Sequence, residues 1–555
     1  MAAHAHDASW QALAASLLLG CAGVAAAQSV APAAPLATAT APTPAVAPPP
    51  APTPSFTPER NLCATAAGPV AIGTAQWNGW GRDIFNSRYQ PEPAIRAVDV
   101  PKLALKWAYG FQAGKEFTQP SVVDGRLFVA GSAGRVYALD AKTGCTYWTF
   151  DAAVGSHTAI SIGELGESKK VYLPKRLKGK LAHLDIIKAP SAVIFGDDSG
   201  AVYALDAQKG TLLWKTRIDT HPAARIVGAP TLYNDRVYVT VSATEDALAA
   251  NPGYSCCTFR GSVAALDIMS GRLLWKTYTV LEEPRPTHKS PVGVQEFGPS
   301  GAAVSSSPTI DTKRNVLYVG TGGSSTGIEQ SLTDAIAAFD LGDGKLRWVK
   351  QLTRADAVAA SGFASSPILR TLATGNQVVL AGQKSGEVYA LDPDHGGAVL
   401  WQTKVADAGA GGVAWGSAAD HRNLYVAVSG PSSQPADVSG SLWALDLKTG
   451  TGRWHTLAPL PACTWGESDC SHGQAQAVTV IPGSAFSGSL DGHLRAYSTI
   501  DGKIVWDFDT ARAFQTVNGV KASGGPLDRG GATIVSGVVY IDSGNALLAF
   551  SVGGK

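Results

Sequence analysis

The chain has 555 residues, a formal net charge of +1 and 16% charged side chains, so its charge does not point to nucleic acids or acidic polymers. This length could hold several ordinary domains, but an internal repeat overrides that estimate. Gly occurs 61 times, Met twice and Trp 14 times, a composition typical of a large all-β protein with many turns.

The first 60 residues are interpreted as a targeting segment and a spacer. Residues 12–27 form an apolar run that is too short to span a bilayer. Residues 1–27 therefore predict a signal peptide cleaved after 25–27, although no Lys or Arg precedes the run. The sequence L-L-G-C, ending at Cys21, offers a lipoprotein-type alternative. Residues 28–60 are rich in Ala, Pro and Thr and predict an extended linker.

Export would place the protein in the periplasm or outside the cell, with a lipid anchor as the alternative to a soluble form, and disulfide bonds form in these compartments. Without Cys21, six of the seven cysteines remain. Six cysteines allow fifteen pairings, so pairing cannot be deduced from the sequence. Proximity along the chain favours Cys463–Cys470 and the adjacent Cys256–Cys257, which leaves Cys63–Cys145.

A repeated unit dominates the rest of the chain and is typified by V-Y-A-L-D-A-Q-K-G-T-L-L-W, which ends at Trp214. We interpret each unit as a strand, a tight turn and a second strand. The Asp side chain accepts hydrogen bonds from turn amides, and the Gly takes the position with positive φ. The Trp can pack its face into the neighbouring unit. Complete units end at Trp148, Trp214, Trp275, Trp348, Trp401, Trp454 and Trp506.

Strand-like runs precede each unit, and four short strands per repeat predict a β-propeller. Trp107 lies in an isolated strand, residues 103–111, while residues 538–541 and 546–552 are strands without a following Trp. These pieces would complete an eighth blade and remove an exposed sheet edge. We therefore predict an all-β, eight-bladed propeller over residues 61–555. Seven blades with a stray N-terminal strand is the alternative.

Three long segments interrupt the repeat. Residues 154–190 are basic, but they lack the interleaved aromatic residues of a nucleic-acid site and are interpreted as a solvated surface. Residues 219–260 and 279–307 are expected to wall an axial pocket.

The second long segment contains G-Y-S-C-C-T-F-R-G-S at residues 253–262. A disulfide between Cys256 and Cys257 would close a flat, apolar ring suited to stacking on a planar ligand. Two reduced thiols or two separate long-range disulfides are the alternatives.

Other motifs lie outside the repeat. They are W-N-G-W-G-R-D-I-F-N-S-R-Y-Q from Trp77, C-C-T-F-R-G-S from Cys256, G-P-S-G-A-A-V from Gly298, G-Q-K-S-G-E-V-Y-A-L-D-P-D from Gly382, W-G-S-A-A-D from Trp415, F-S-G-S-L-D-G-H-L-R-A-Y-S-T-I-D-G-K from Phe486 and V-N-G-V-K-A-S-G-G from Val517. With the repeat, residues 76–555 resemble the quinoprotein domain of polyvinyl-alcohol dehydrogenases, a branch of the pyrroloquinoline quinone (PQQ) propellers.

The resemblance implies oxidation of secondary alcohols in the periplasm, with electrons passing from bound PQQ to a cytochrome. It favours the disulfide form of Cys256 and Cys257, stacked on one face of the quinone. Arg260 would pair with the cofactor carboxylates. Lys384 would donate to the quinone oxygens and stabilise charge there during hydride transfer. Cofactor binding would thus involve Cys256, Cys257, Arg260, Glu245, Lys384, Trp415 and Asn518, with Glu245 also a possible calcium ligand.

The chain departs from the family pattern at three positions. Ser305 stands where a Trp commonly stacks on the quinone, and Gly323 stands where an Asp or Asn side chain binds calcium. Residues 361–364, S-G-F-A, lack the Asp that is the family's candidate general base, and Gly362 stands in its place. Asp334 and Asp356 lie nearby in the sequence, but their spacing alone does not assign them to the site.

The sequence contains no C-x-x-C-H motif, so the electrons would need a separate cytochrome or other acceptor. We therefore predict an exported PQQ-dependent dehydrogenase acting on an alcohol or a polymeric alcohol. A catalytically degenerate propeller that binds a ligand is one alternative, motivated by the three departures. A scaffold lipoprotein of outer-membrane assembly is another, although the long pocket loops and the cysteine pair argue against it.

Overall fold

The computed structural model describes residues 56–73, 76–114, 118–165, 190–328, 330–353, 362–406, 412–430, 440–460 and 470–555. The expected signal peptide, Cys21 and the first part of the linker lie outside these residues. So do Asp356, Cys463 and the lysine-rich part of the basic segment. The propeller is described for the remaining residues only.

Each repeated unit forms the third and fourth strands of an antiparallel sheet, and the runs before it supply the inner strands. In the described chain there are seven four-stranded sheets and one five-stranded sheet of this kind, here called blades 1 to 8. Blades 1 to 4 consist of β2(Ser121–Val123), β3(Arg126–Ala130), β4(Arg135–Asp140) and β5(Thr146–Asp151); β6(Ser161–Glu164), β7(Ser191–Gly196), β8(Ala201–Asp206) and β9(Leu212–Arg217); β10(Ala224–Arg225), β11(Thr231–Tyr233), β12(Arg236–Ala243), β13(Ser262–Asp267) and β14(Leu273–Tyr278); and β17(Thr309–Asp311), β18(Val316–Gly320), β19(Ala335–Asp340) and β20(Leu346–Gln351).

The second half of the ring repeats this arrangement. Blades 5 to 8 consist of β21(Ile368–Thr371), β22(Gln377–Gly382), β23(Glu387–Asp392) and β24(Ala398–Lys404); β25(Ala418–Ala419), β26(Asn423–Ser429), β27(Gly440–Asp446) and β28(Gly452–Leu457); β29(Thr479–Ile481), β30(Ser484–Gly488), β31(His493–Ser498) and β32(Ile504–Asp509); and β35(Thr533–Val535), β36(Val538–Ser543) and β37(Ala546–Val552) with β1(Leu103–Gly110).

Blade 8 closes the ring. Its outer strand β1, which carries Trp107, pairs antiparallel with β37, from Leu103 opposite Val552 to Gly110 opposite Ala546. The two ends of the propeller therefore share one sheet. The eight-bladed prediction is confirmed, and the seven-bladed alternative is wrong.

The turn of each repeated unit packs against the Trp of the preceding blade. The Trp148 indole N–H donates to the Ala207 carbonyl at 3.2 Å. Gly210, in the same turn, has φ +71°, and a Cβ there would lie 2.5 Å from the Trp148 ring. Only Gly fits both the backbone conformation and this approach, which explains why Asp, Gly and Trp recur together.

The hydrophobic cores lie between neighbouring blades. One cluster joins Trp107 and Leu547 of blade 8 to Leu127 and Leu139 of blade 1, with Trp77 at its edge. The end of the expected linker also packs here, since the Tyr109 hydroxyl donates to Glu59 at 2.8 Å. None of the helices in the described part of the chain is long and apolar enough to cross a membrane.

Residues 77–90, here called the closing segment, run across one end of the axial channel. The segment hydrogen-bonds to the inner strands of seven of the eight blades. These bonds join Trp77 to Val122 (3.0 Å), Asn78 to Ile162 (2.7 Å), Ile84 to Ile310 (2.8 Å), Phe85 to Leu369 (3.1 Å), Ser87 to Ala419 (2.9 Å), and Gln90 to Val480 (2.8 Å) and Ile534 (3.1 Å).

Arg88 anchors the closing segment and is fully buried. Its guanidinium donates to the carbonyls of Val478 and Trp80 at 2.6 Å, to Gln119 Oε1 at 2.7 Å and to Thr479 Oγ1 at 3.0 Å. No carboxylate of the described chain forms an ion pair with Arg88. Burial lowers its pKa to about 9, so the group remains charged at neutral pH.

The long segments predicted to wall the pocket contain their own elements. Helix α1(Glu245–Ala249) lies in the first, and the hairpin of β15(Arg285–Lys289) and β16(Gln295–Gly298) lies in the second. A further hairpin, β33(Ala513–Phe514) with β34(Ala522–Ser523), precedes β35. Two 3₁₀ turns, Ala97–Lys102 and Pro393–His395, complete the described elements.

Candidate active site

A cavity of about 530 Å³ lies among blades 3, 4 and 5. Its wall includes Ser242 at the end of β12, Ser305 before β17, and Gly323 and Asp334 between β18 and β19. Phe363, before β21, and Lys384, after β22, complete the wall. The volume lies within the range of about 300–1,000 Å³ that is usual for small-ligand pockets.

Cys256 and Cys257 form a disulfide that borders this cavity. The pair is held against β16, because Phe297 N donates to the Cys256 carbonyl at 2.6 Å and Cys257 N donates to the Phe297 carbonyl at 3.2 Å. Cys257 Sγ lies 3.9 Å from the carbonyl oxygen of Ser325, a residue of the cavity wall. The disulfide therefore lies next to a residue of the cavity wall. Its stacking on a cofactor stays a prediction.

Glu245 holds the cysteine loop in place. It is buried at the start of α1, and its two oxygens accept hydrogen bonds from the amides of Thr258 (2.9 Å) and Phe259 (2.8 Å). The Ser300 and Tyr254 hydroxyls also donate to it, at 3.1 and 3.2 Å. Burial, and then the charge of Glu245, raise the pKa of Tyr254 to about 12, so Tyr254 stays a donor. The carboxylate faces the loop and is not among the residues of the cavity wall.

Lys384 is the lysine of the cavity wall. Its side chain is exposed, and its ammonium forms no ion pair with any described residue. Its backbone N–H donates to the Gly362 carbonyl at 3.2 Å, which fixes the root of the side chain beside the position that lacks the expected carboxylate. The ammonium is therefore available to an anionic or electron-rich ligand.

Arg260 and Asn518 lie elsewhere in the structure. The Arg260 guanidinium lies over the Tyr278 ring, 3.9 Å from its centroid, and 3.5 Å from Glu283. Asn518 accepts from Gly110 N at 3.0 Å and donates to the Gly110 carbonyl at 2.8 Å. The structure does not bring either side chain to the cavity wall, and their cofactor roles stay predictions.

Trp415 lines a second, smaller cavity of about 30 Å³ that is nearer the closing segment. Its indole N–H donates to Asp528 Oδ1 at 2.8 Å. Ser305 and Ala364 line both cavities, so the two spaces adjoin where the family has a Trp. Trp80, from the closing segment, also lines the smaller cavity. Ser305 is thus shared by a cavity without tryptophan in its described wall and one lined by Trp80 and Trp415.

A hydrogen-bonded group in the smaller cavity was not foreseen from the sequence. Arg529 Nη1 lies 2.9 Å from His157 Nδ1, and His157 Nε2 lies 3.0 Å from Asp198 Oδ2. Because a guanidinium only donates, this contact assigns the acceptor role to Nδ1 and the proton to Nε2. The three residues come from separate parts of the chain, and only the fold brings them together.

The other disulfide prediction within the described chain concerns Cys63, which the structure joins to Cys145 of blade 1. Cys470 is disulfide-bonded, but Cys463 lies outside the described residues.

Comparisons with known proteins agree with this geometry. The family model described as the "Glucose/ethanol/alcohol dehydrogenase, beta-propeller domain" of PQQ proteins matches residues 77–420. A polyvinylalcohol dehydrogenase of a Pseudomonas species is 40% identical over 528 residues, which cover 89% of this chain and 80% of that protein. The chain belongs to the family of PQQ-dependent alcohol dehydrogenases.

Further relatives of this family agree. A polyvinylalcohol dehydrogenase of Sphingopyxis sp. strain 113P3 is 39% identical, over 89% of this chain and 79% of its own length. The crystal structure of the quinohemoprotein alcohol dehydrogenase from Comamonas testosteroni has a TM-score of 0.60 at 19% identity, covering 87% of this chain and 81% of that one. At that identity, the structural match supports the fold alone.

The site fits the family's cofactor, PQQ, which is a planar tricyclic tricarboxylate. The cavity has the volume of a small-ligand site, an ammonium without an ion pair and an adjacent apolar disulfide ring. Seryl hydroxyls of Ser242 and Ser305 add neutral polar groups to the wall, which also contains Asp246 and Asp334.

The site does not fit a calcium ion equally well. Calcium requires six to eight oxygen ligands, roughly. Both oxygens of Glu245 accept backbone N–H groups, and Gly323 offers no side-chain oxygen. In the described part of the chain, no three acidic, His or Cys side chains form a metal-binding group. Calcium therefore stays a prediction from the resemblance, and no step of the reaction is assigned to it.

Proposed function

We propose that the protein is an exported dehydrogenase that oxidises secondary alcohols, including polymeric alcohols, with PQQ as its oxidant. The observation that carries this proposal is a cavity whose wall contains Lys384, without an ion pair among the described residues, and Ser325, whose carbonyl oxygen lies 3.9 Å from Sγ of Cys257 in the Cys256–Cys257 disulfide. A flat apolar surface and a cation together suit a planar anion. The relatives named polyvinylalcohol dehydrogenases support the substrate class.

The chain's own residues would position the reactants. Lys384 would hold the electron-rich oxygen of the cofactor and stabilise negative charge that develops there. The disulfide ring would cover one face of the planar group, while Phe363 and the wall around Ser305 would exclude water from the opposite side. When bound, PQQ supplies a two-electron acceptor for the hydride of the alcohol. The network around Glu245 would keep the ring fixed during turnover.

Export and a separate electron acceptor are part of the proposal. Export is supported by the apolar run at residues 12–27 and by the disulfides. Mass spectrometry of protein purified from its host would reveal the processed N-terminus. A mature chain starting at Gln28 supports soluble export, an acylated Cys21 supports a lipid anchor, and an uncleaved chain in the cytoplasm contradicts export.

The enzyme activity is tested by reconstitution of the purified apoprotein with PQQ, with and without calcium. Dye reduction would then be measured with propan-2-ol, pentane-2,4-diol and polyvinyl alcohol, with ethanol for comparison. We expect PQQ-dependent turnover that favours the secondary alcohols. Reduction with none of them, by a folded protein that binds PQQ, would instead establish the ligand-binding alternative.

A further inference from the structure

The three missing side chains do not leave the cavity without a carboxylate. Asp334 lies in its wall and is only 3% exposed. Asp246 also lines the cavity, but it is exposed and accepts a hydrogen bond from the Ser325 hydroxyl. Asp334 is thus the buried carboxylate among the described residues of the wall.

Asp334 lies beside two of the positions where the chain departs from its family. A Cβ on Gly323 would lie 3.4 Å from Asp334 Oδ2 and 3.5 Å from Oδ1. A Cβ on Gly362 would lie 2.9 Å from Gly322 Cα and 3.4 Å from Gly323 N. The side chains missing at 323 and 362 would therefore have pointed toward one small region, and the Asp334 carboxylate borders it.

The same pair of glycines connects Asp334 to Lys384. Gly323 borders the carboxylate, Gly362 borders Gly323, and the Gly362 carbonyl accepts from Lys384 N at 3.2 Å. Lys384 and Asp334 thus line one cavity, and the two glycines lie between them. Both residues line the cavity in which a substrate carbinol group would be bound.

The backbone holds Asp334 firmly in this position. Asp334 N donates to the Gly322 carbonyl at 3.0 Å, and its own carbonyl accepts from Leu352 N at 3.1 Å. Its φ is +50°, a left-handed conformation that few side chains adopt and that Asp tolerates better than most. Such a strained conformation is often retained where a side chain has a function.

We propose that Asp334 is the general base of the reaction, a role that rests on the proposed function. The O–H bond of the alcohol breaks, and its proton goes to the Asp334 carboxylate. The carbinol C–H bond breaks in the same oxidation, and PQQ, when bound, would supply the acceptor for that hydrogen and its two electrons. The carbinol becomes a ketone or an aldehyde, so atoms and electrons balance.

The test compares two variants of Asp334 with a matched control. Asp334→Asn keeps the shape but accepts no proton, and Asp334→Gly removes the carboxylate while easing the left-handed backbone. Asp235→Asn is the control, because Asp235 has φ +59° in the turn between β11 and β12, away from the cavity. Thermal unfolding and PQQ binding, followed by fluorescence quenching, are measured for each variant before any kinetics.

We expect both Asp334 variants to fold and to bind PQQ within about threefold of the wild type, while kcat falls at least about 100-fold. Millimolar formate should restore part of the activity of Asp334→Gly, because it supplies a carboxylate at the vacated position. Asp235→Asn should match the wild type in every measurement.

Other outcomes overturn the assignment. If kcat of Asp334→Asn stays within about threefold of the wild type, Asp334 is not the base. If both variants lose PQQ affinity by tenfold or more, the carboxylate serves the cofactor instead. If formate leaves the activity of Asp334→Gly unchanged, proton transfer is not what was lost. If the wild type itself oxidises no alcohol, the proposed function is wrong. This result differs from activity that is retained in the variants, which contradicts only the role of Asp334.

Discussion

The two ends of the axial channel differ in how their polar groups are used. At the closed end, residues 77–90 are bonded to seven of the eight blades, and Arg88 is buried with four acceptors. At the open end, the cavity is walled by glycines and serines, and the Lys384 ammonium forms no ion pair in the described structure. One end is saturated with internal hydrogen bonds, and the other holds groups available to a ligand.

This difference separates residues that stabilise the fold from residues that act on a ligand. Residues 305–310 lead from the cavity to the closing segment. Ser305 lines both cavities, the Ser307 carbonyl accepts from Asn86 of the closing segment at 3.2 Å, and Ile310 N donates to Ile84 at 2.8 Å. Access to the cavity is therefore expected from the open end only, and variants at the two ends should have opposite effects.

The largest effect is expected from Arg88→Met at the closed end. The substitution removes four buried hydrogen bonds, to two carbonyls, Gln119 Oε1 and Thr479 Oγ1, so at about 1 kcal/mol each the free energy of unfolding should fall by about 4 kcal/mol. Denaturant titration measures it. Arg453→Met, at an exposed ion pair with Asp446, is the control and should change stability by less than about 1 kcal/mol. Equal effects of both variants would show that the closing segment is not a structural anchor.

Lys384→Met should weaken cofactor binding and leave the stability of the apoprotein unchanged, unlike Arg88→Met. Loss of a charge-assisted hydrogen bond inside the cavity should weaken PQQ binding about 100-fold, or about 2.7 kcal/mol. The unfolding transition of the apoprotein should not move, because the ammonium forms no ion pair in the described structure. Lys448→Met, in a turn of blade 6, is the matched control for fluorescence titration with PQQ. Unchanged affinity in Lys384→Met would remove the observation on which the proposed function depends.

The ring of blades was predictable because its signal is local and repeated. Asp206, Gly210 and Trp214 stand at fixed offsets within one unit, and each residue type has one physical role in the turn or the blade contact. The closing strand was predictable by elimination, since Trp107 lacked partners near it in the sequence. Residues 77–90 stood out as a motif, yet their partners lie up to hundreds of residues away and no periodicity points to them.

The site was predictable only in part, for the same reason. Lys384 lines the cavity and the cysteine pair lies next to Ser325 of its wall, but their cofactor roles stay predictions. Asp334 could not be assigned from spacing, since its approach to Gly323 depends on how two loops pack. Arg260 was placed by resemblance, but its guanidinium lies over Tyr278, an interaction that the motif alone does not reveal.

Glu245→Gln tests whether the open face depends on a structural network of its own. A glutamine retains one acceptor and adds a donor facing the amides of Thr258 and Phe259, so stability should fall by about 2 kcal/mol. The loosened loop should also expose the Cys256–Cys257 disulfide, which would be reduced faster by a phosphine. Alkylation followed by mass spectrometry measures that rate. Glu283→Gln, whose side chain is 84% exposed, is the control, and the same reduction rate in both would contradict a holding role for Glu245.

The smallest effect is expected at Asp542, a buried carboxyl group that lacks the hydrogen-bond partners that Arg88 has. Asp542 Oδ1 is buried in β36 and has no hydrogen-bond partner among the described residues. Burial raises the pKa of Asp542 from its usual 3.8 to about 7. The folded protein therefore keeps a proton that the unfolded chain has released, so this contribution to stability is complete below pH 4 and is lost as the pH rises through 7.

Asp542→Asn removes that titration and should flatten the curve of unfolding free energy against pH. Because the residue as a whole is only partly buried, the difference from the wild type between pH 4 and pH 8 should be on the order of 1 kcal/mol. Asp501→Asn provides a control of opposite sign. The pKa of Asp501 is lowered to about 2 by its bond to Lys503, so its contribution is present above pH 4 and is lost as the pH falls through 2. If Asp542→Asn leaves the pH dependence unchanged, the carboxyl is hydrated or paired in solution. The contrast between an unpartnered carboxyl in blade 8 and the fully hydrogen-bonded Arg88 would then be wrong.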